Sequence, residues 1–298
     1  MGNIWDEHSG VVLRHMTTTP SPATMLAAAQ QLEISKPVAV AAVDVLCGGT
    51  ATGVVLSGKM GAGKDVLAAK LNTYFTNHPE LGISPGHVHQ TSDPIRKEYA
   101  EVLGLLTECS HNQDTPLKAA QALAGYMGLP TLAAARLTEM LYPQIQTGET
   151  ISPHSRTPQN RAALQFLADA GRRSYDPQYW TKQYFQSVYQ TIAKNQTAFL
   201  TGGRYPNEVG PAQTLGLFTC RIETTEPIRI ARIEHRDGFT PDTTTLHDPN
   251  ECALDNYLGF NLVVLNNADI TPTVQTITNH LQQHTQLLTS THITHNPT

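Results

Sequence analysis

One stretch, Gly53 to Asp65 (GVVLSGKMGAGKD), constrains this 298-residue chain more than any other. Gly53-Val54-Val55-Leu56-Ser57 is a short apolar run with β-branched residues, so it predicts a buried strand. Glycines at 58, 61 and 63 predict a tight turn, and Val66-Leu67-Ala68-Ala69-Lys70-Leu71 predicts a helix behind it. Gly58, four residues, then Gly63-Lys64 is the spacing of a phosphate-binding P-loop. Glycines let backbone N–H groups curl toward a polyphosphate without Cβ clashes. The helix behind presents its positive end, and Lys64 adds a mobile point charge. Gly58, Lys59, Met60, Gly61, Ala62, Gly63, Lys64, Asp65 and Val66 are therefore the candidate nucleotide-phosphate residues. Asp65 stands where a Ser or Thr hydroxyl ordinarily meets Mg²⁺, and is the candidate metal residue. A carboxylate there can hold Mg²⁺ directly or through water, but it also repels phosphate. The competing reading, a glycine turn that caps a helix and binds nothing, is disfavoured by the strand before and the helix after.

Charge narrows the partners. Twenty basic against 25 acidic residues give a formal net of −5, which argues against a general duplex-DNA or anionic-membrane binder. Cys47, Cys109, Cys220 and Cys252 are scattered, with no metal-ligand spacing and no disulfide framework, so buried reduced thiols are expected. No signal-peptide pattern opens the chain and no apolar run is long enough to span a bilayer, so a cytoplasmic protein is expected.

Residues 1–36, with Thr-Thr-Thr-Pro-Ser-Pro and a short helix at 23–32, read as an N-terminal extension. Pro37 to Leu46 is apolar with β-branched residues and reads as a strand. Beyond the glycine-rich stretch, 87–94 reads as a strand end followed by a turn, and strands are expected at 197–201, 217–223 and 262–266, with helices between them. The polar segment 107–160, with helical pieces, reads as a cap, and 271–298 as a polar helical tail. Strands alternating with helices predict a three-layer α/β/α fold of the P-loop NTPase kind over 37–270, its parallel sheet binding ligands at the carboxyl edge.

Arginines sit where phosphate chemistry can use them. Arg161 and Gln165 are four apart on one helix face, followed by Gly171-Arg172-Arg173. A guanidinium there can grip a monophosphate with two prongs, or belong to a solvated basic face. Arg204 follows a buried strand through Gly202-Gly203, at the sheet's carboxyl edge. Arg229, Arg232 and Arg236 share a helix face, either neutralising phosphoryl charge or simply solvated. Asp93 reads equally as a substrate or Mg²⁺-water ligand and as an Asp-Pro turn. Glu208 reads as a functional carboxylate or a helix N-terminal one. His280 and His284 have i, i+4 spacing but no third ligand nearby, so an exposed helix is expected.

Taken in order, these segments resemble bacteriophage deoxynucleoside monophosphate kinases. The matching pieces are Gly58–Asp65, Ser92-Asp93-Pro94, Thr157-Pro158 with Arg161 to Gln165, Gly171-Arg172-Arg173, Trp180, Arg204-Tyr205-Pro206-Asn207-Glu208 and His247 to Leu254. Together they cover about residues 53 to 267. Gly202-Gly203 stand where that family usually has an acidic residue before the arginine, and Val66 where a Thr often follows Gly-Lys-Asp. The resemblance implies transfer of the γ-phosphoryl of ATP, with Mg²⁺, to a (deoxy)nucleoside monophosphate, in a host cytoplasm if phage-encoded. It implies Lys64, Arg161, Arg172 and Arg204 as catalytic residues and Arg232 and Arg236 beside ATP. It further implies Asp93, Arg161, Gln165, Arg172, Trp180, Glu208 and Glu251 as substrate-binding residues. Its expected partners are small molecules, with a homodimer left open. Two alternatives stay open: a P-loop kinase of another phosphorylated small molecule, of the dephospho-coenzyme A or phosphomevalonate type, and a nucleotide-binding module without turnover.

Overall fold

The computed structural model describes residues 4–6, 11–13, 19–155, 157–238 and 240–295, so part of the expected N-terminal extension lies outside the described residues. In chain order the elements are β1 (Ile4–Asp6), β2 (Val11–Leu13), α1 (Pro22–Gln31), α2 (Lys36–Gly48), β3 (Gly53–Ser57), α3 (Lys64–Asn77) and β4 (Gly86–Gln90). Then follow α4 (Asp93–His111), α5 (Pro116–Met127), α6 (Thr131–Gln146), α7 (Pro158–Phe166) and α8 (Tyr179–Ile192). The remainder is β5 (Thr197–Gly203), α9 (Pro206–Thr214), β6 (Phe218–Glu223), α10 (Glu226–Asp237), α11 (Thr243–Leu246), α12 (Pro249–Cys252), β7 (Leu262–Leu265) and α13 (Thr271–His295). These elements form two units, Met1–Gln90 with Phe185–Thr298, and Thr91–Tyr184.

The first unit is built on one sheet in the order β1-β2-β7-β6-β3-β5-β4. Its five strands from β7 to β4 are all parallel, while β2 pairs antiparallel with β7 and β1 with β2. All five residues of β3 are buried, as a central parallel strand covered on both faces requires. Alternation sorts its side chains. Val54 and Leu56 join Phe199, Cys220, Ile222, Leu262 and Val264 under α3 (Leu67, Leu71, Phe75) and α13 (Val274, Ile277, Leu281). Full burial of each large apolar side chain contributes about 1.5–3 kcal/mol. Val55 points the other way, toward Gly203 and Val209 of α9. On that face α8 is fastened by Tyr189, whose hydroxyl donates to the Leu215 carbonyl at 2.8 Å, and by Thr191, 3.0 Å from His89 Nε2. Helices on both faces of a mostly parallel sheet give the expected three-layer α/β/α arrangement.

Two local expectations are corrected. Pro37 to Leu46 is helix α2, not a strand. Its buried residues Ala39, Ala42, Val43, Leu46 and Cys47 follow helical spacing, Pro37 sits in the first turn, and Gly49 closes the helix at φ +74°. The helix expected within 271–298 is α13, and it supplies part of the sheet's cover. His284 lies on that inner face and is 4% exposed, overturning the expectation of a solvated pair.

The second unit, 91–184, is helical and wider than the expected 107–160 cap. Tyr99, Val102 and Leu106 of α4, Leu123 of α5 and Leu137 and Leu141 of α6 share its core. The Tyr99 hydroxyl donates to Asn160 Oδ1 at 2.7 Å, and the Asn160 amide donates to the carbonyls of Ser152 and Ser155. This buried network ties Ser152 and Ser155 to α7. Residues Leu167–Arg173 continue α7 as a π-helical segment.

Candidate functional site

Strand β3 is the turning point of the first unit. From it the chain passes outward to β4, returns through β5, then crosses to β6 on the other side. Ligands of open α/β sheets bind outside the carboxyl ends of strands at such a point. Residues 58–63 leave β3 there and lead into α3. Gly61 (φ +80°) and Gly63 (φ +94°) have left-handed backbone, and a Cβ on Gly61 would lie 2.6 Å from the Arg229 carbonyl. Only glycine permits this path.

The loop is held from behind by α10 and by the residue that follows β7. Arg229, buried, donates from Nη1 to the Met60 carbonyl at 3.1 Å and pairs with Glu226. Arg232 donates to the carbonyls of Asn266 (3.0 Å) and Ala62 (3.4 Å). The Asn266 amide donates to the Ala62 carbonyl at 2.8 Å. Arg229 and Arg232 thus touch the loop backbone rather than forming a solvated face. Arg236, the third of that spacing, pairs with Asp237.

At the mouth, Lys64 Nζ donates to the carbonyls of Gly58 (2.6 Å) and Lys59 (3.1 Å). Burial, reinforced by the nearby Arg204 charge, lowers its pKa to about 8 against the pull of Glu251 and Asp65. Glu251, 7% exposed at its side chain, accepts the Met60 N–H at 2.6 Å and pairs with Arg204 at 3.0 Å. Asp255 pairs with Lys59 (2.7 Å) and with Arg221 (3.2 Å), whose buried guanidinium also pairs with Glu223 and reaches Ser57 Oγ at 3.5 Å. A polar cavity of about 300 Å³ opens beside the loop, lined by Lys59, Glu223, Thr224, Glu226, Arg229 and Asp255.

Three cations, Lys64, Arg204 and Lys59, therefore gather around a loop whose helix leaves its first N–H groups without intrahelical acceptors. Asp65 and Val66 are exposed on the first turn of α3. Among the described residues no three His, Cys, Asp or Glu side chains cluster as a metal cage. Asp65 is the one acidic residue of that first turn.

The other expected residues are placed as follows. Glu208 Oε2 accepts the N–H groups of Arg204 (2.7 Å) and Tyr205 (3.2 Å), closing the start of α9 and setting the turn that carries Arg204. Within the second unit, Asp93, Arg161 and Gln165 are exposed. Arg172 is engaged internally: Nε donates to Glu98 at 2.6 Å and Nη2 to the Met127 carbonyl at 2.7 Å, with Tyr179 stacked at 5.0 Å. Trp180 is buried and its Nε1 donates to the Ala168 carbonyl at 2.9 Å. Arg221, Asp255 and Asn266 belong to the loop's surroundings without any local motif announcing them. The one available signal was a basic residue, Arg221, inside an otherwise buried strand.

No protein-family model and no curated protein matches this chain. Among the described residues no helix is long and apolar enough to cross a membrane.

Proposed function

We propose that the chain transfers the γ-phosphoryl group of ATP to a (deoxy)nucleoside 5′-monophosphate, giving the diphosphate and ADP. The observation that carries this reading is Lys64, folded onto the carbonyls of Gly58 and Lys59 at the mouth of a glycine loop that ends the central parallel strand. A polyphosphate offers that ammonium stronger acceptors than two amide carbonyls, together with N–H groups of the loop and of the first turn of α3. In this reading the loop is a P-loop, and the resemblance to phage monophosphate kinases supplies the acceptor class.

The chemistry then asks little of a general base. An acceptor phosphate oxygen attacks the γ-phosphorus, and the bond from that phosphorus to the β,γ-bridging oxygen breaks, leaving ADP. Alignment and charge neutralisation by loop amides, Lys64 and Arg204 carry the catalysis. Asp65 would be the residue to hold Mg²⁺, which when bound would supply further charge neutralisation. Arg161 and Gln165, exposed together on α7, are the second unit's candidates for the acceptor phosphate. Arg172 and Trp180 serve that unit's own packing.

The test is ADP release from Mg·ATP with each deoxy- and ribonucleoside monophosphate offered separately. ADP with the matching diphosphate, for one or a few acceptors, supports the kinase. Equal slow release with every acceptor or none would replace it with an ATPase or a binding module. Lys64→Ala is expected to lower turnover by orders of magnitude with the fold retained. The second reading, nucleotide binding without turnover, draws on Gly202-Gly203 standing at the carboxyl end of β5 and on the Glu208 carboxylate serving the start of α9.

A further inference from the structure

We infer that Asn266 is a positioning residue of the glycine loop: by holding the Ala62 carbonyl from behind, it aims the Gly63 N–H at the ligand's phosphates. This rests on reading residues 58–63 as a phosphate site. Asn266 follows β7 directly, and its backbone N–H donates to the Glu223 carbonyl at 2.8 Å, extending the β6–β7 pairing by one bond. The residue is 2% exposed. Its side-chain Nδ2 donates to Ala62 O at 2.8 Å. Arg232 backs the same point, with Nη1 3.4 Å from Ala62 O and Nη2 3.0 Å from Asn266 O. The Thr224 hydroxyl lies 3.4 Å from Ala62 O and 3.2 Å from Asn266 O.

A trans peptide is planar, and its C=O and N–H point in opposite directions. Three donors gathered on Ala62 O therefore turn the Gly63 N–H away from Asn266. Gly63 makes the approach possible: at φ +94° it is a position for glycine, and a Cβ there would lie 2.7 Å from Asn266 Nδ2. The amide's direction is fixed by chemistry, because the reverse orientation would set Oδ1 against the Ala62 oxygen. The cost is visible: Asn266 Oδ1 is buried with no hydrogen-bond partner among the described residues. A side chain that keeps one end unsatisfied while the other holds a loop carbonyl is placed by the loop's geometry. Arg229 does the same two peptides earlier, its hold on Met60 O turning the Gly61 N–H.

The test compares Asn266→Asp, which swaps the donor for an oxygen at nearly constant shape, and Asn266→Ser with Asn267→Ala. Asn267 is the neighbouring control, accepting the Thr225 N–H at 3.0 Å. Calorimetric titration of each full-length protein with inorganic tripolyphosphate, and separately with Mg·ATP, is run well below the thermal transition. Both Asn266 variants are expected to bind each ligand about tenfold more weakly, the size of one hydrogen bond's net worth, with Asn267→Ala unchanged. In turnover assays the loss appears in KM for ATP and not in KM for the acceptor. Asn266 variants binding like the wild type, or Asn267→Ala losing as much, would overturn the assignment. Wild-type protein that binds neither tripolyphosphate nor Mg·ATP would instead remove the phosphate reading itself.

Discussion

Glu251 accepts the backbone N–H of Met60 at 2.6 Å, across 191 residues of sequence. Its other oxygen holds Arg204, so one carboxylate ties the loop to the arginine at the sheet edge. Glu251→Gln keeps the shape but leaves one acceptor oxygen for two donors. Arg204 is then released, and turnover is expected to fall by an order of magnitude or more, as charge-assisted bonds imply. Mg·ATP affinity should not weaken, because a negative charge leaves the site. Steady-state assays and calorimetry check the split; equal losses in both would make Glu251 a structural prop.

Lys64 gives two pH dependences of opposite sign. Its pKa of about 8 in the fold, against an ordinary 10.5, means the folded state holds fewer protons than the unfolded state between those values. Stability of the ligand-free protein should therefore rise as pH climbs from about 8 to 10.5, relieving a penalty that is present in full below 8. Polyphosphate affinity should fall over the same range as the ammonium loses its proton. Binding above pH 8 should be accompanied by proton uptake, read from buffer-dependent heats. Lys64→Met should abolish both trends.

Arg172 and Glu98 are a buried pair of the helical unit, with side chains 14% and 10% exposed. Arg172→Ala strands the Glu98 carboxylate and frees the Met127 and Gly128 carbonyls. A loss of roughly 3 kcal/mol or more is expected, in thermal or urea unfolding. Lysine should not rescue it, because a point charge cannot reproduce the fork that meets three acceptors. Recovery of full stability by Arg172→Lys would contradict the network.

His284 sits against Phe218 with ring centroids 5.6 Å apart, and neither ring nitrogen has a partner among the described residues. Burial lowers its pKa to about 4 from an ordinary 6.5. The unfolded state takes up the proton first, so this site's contribution is present above 6.5 and is lost as pH falls toward 4. His284→Leu is expected to stabilise the fold by roughly 1–2 kcal/mol at neutral pH, by removing two unsatisfied polar atoms. It should also reduce the acid sensitivity of thermal unfolding, with the buried His89 keeping its own share.

The parts legible in the sequence are those set by neighbours along the chain. Gly53 to Ser57, the glycine spacing and the helix from Lys64 are short-range features, and they occur where the pattern places them. Helix α2 was legible in principle: its buried positions recur at three and four, but valines at 38, 40, 43 and 45 imitate a strand's composition. Composition misled again in α13, where Thr, Gln and His suggest a solvated helix while Val274, Ile277 and Leu281 form a buried stripe. The loop's supports were not legible. Asn266, Asp255 and Arg221 reach residues 58–63 only because β6 and β7 lie beside β3 in the sheet. No local pattern encodes such a pairing.

The sheet's discontinuity has a consequence for synthesis. β3 is made early, yet its neighbours β5 and β6 begin at Thr197 and Phe218, after the whole helical unit. A growing chain therefore carries the glycine loop on an unpaired strand for well over a hundred residues of translation, while 91–184, rich in local helix pairs, can settle first. Asn266 is the last of the loop's supports to emerge, so a chain stopped short of β7 would keep every residue of the motif and the hold of α10 on Met60 and Ala62, but lose the amide that fastens the Ala62 carbonyl from the sheet.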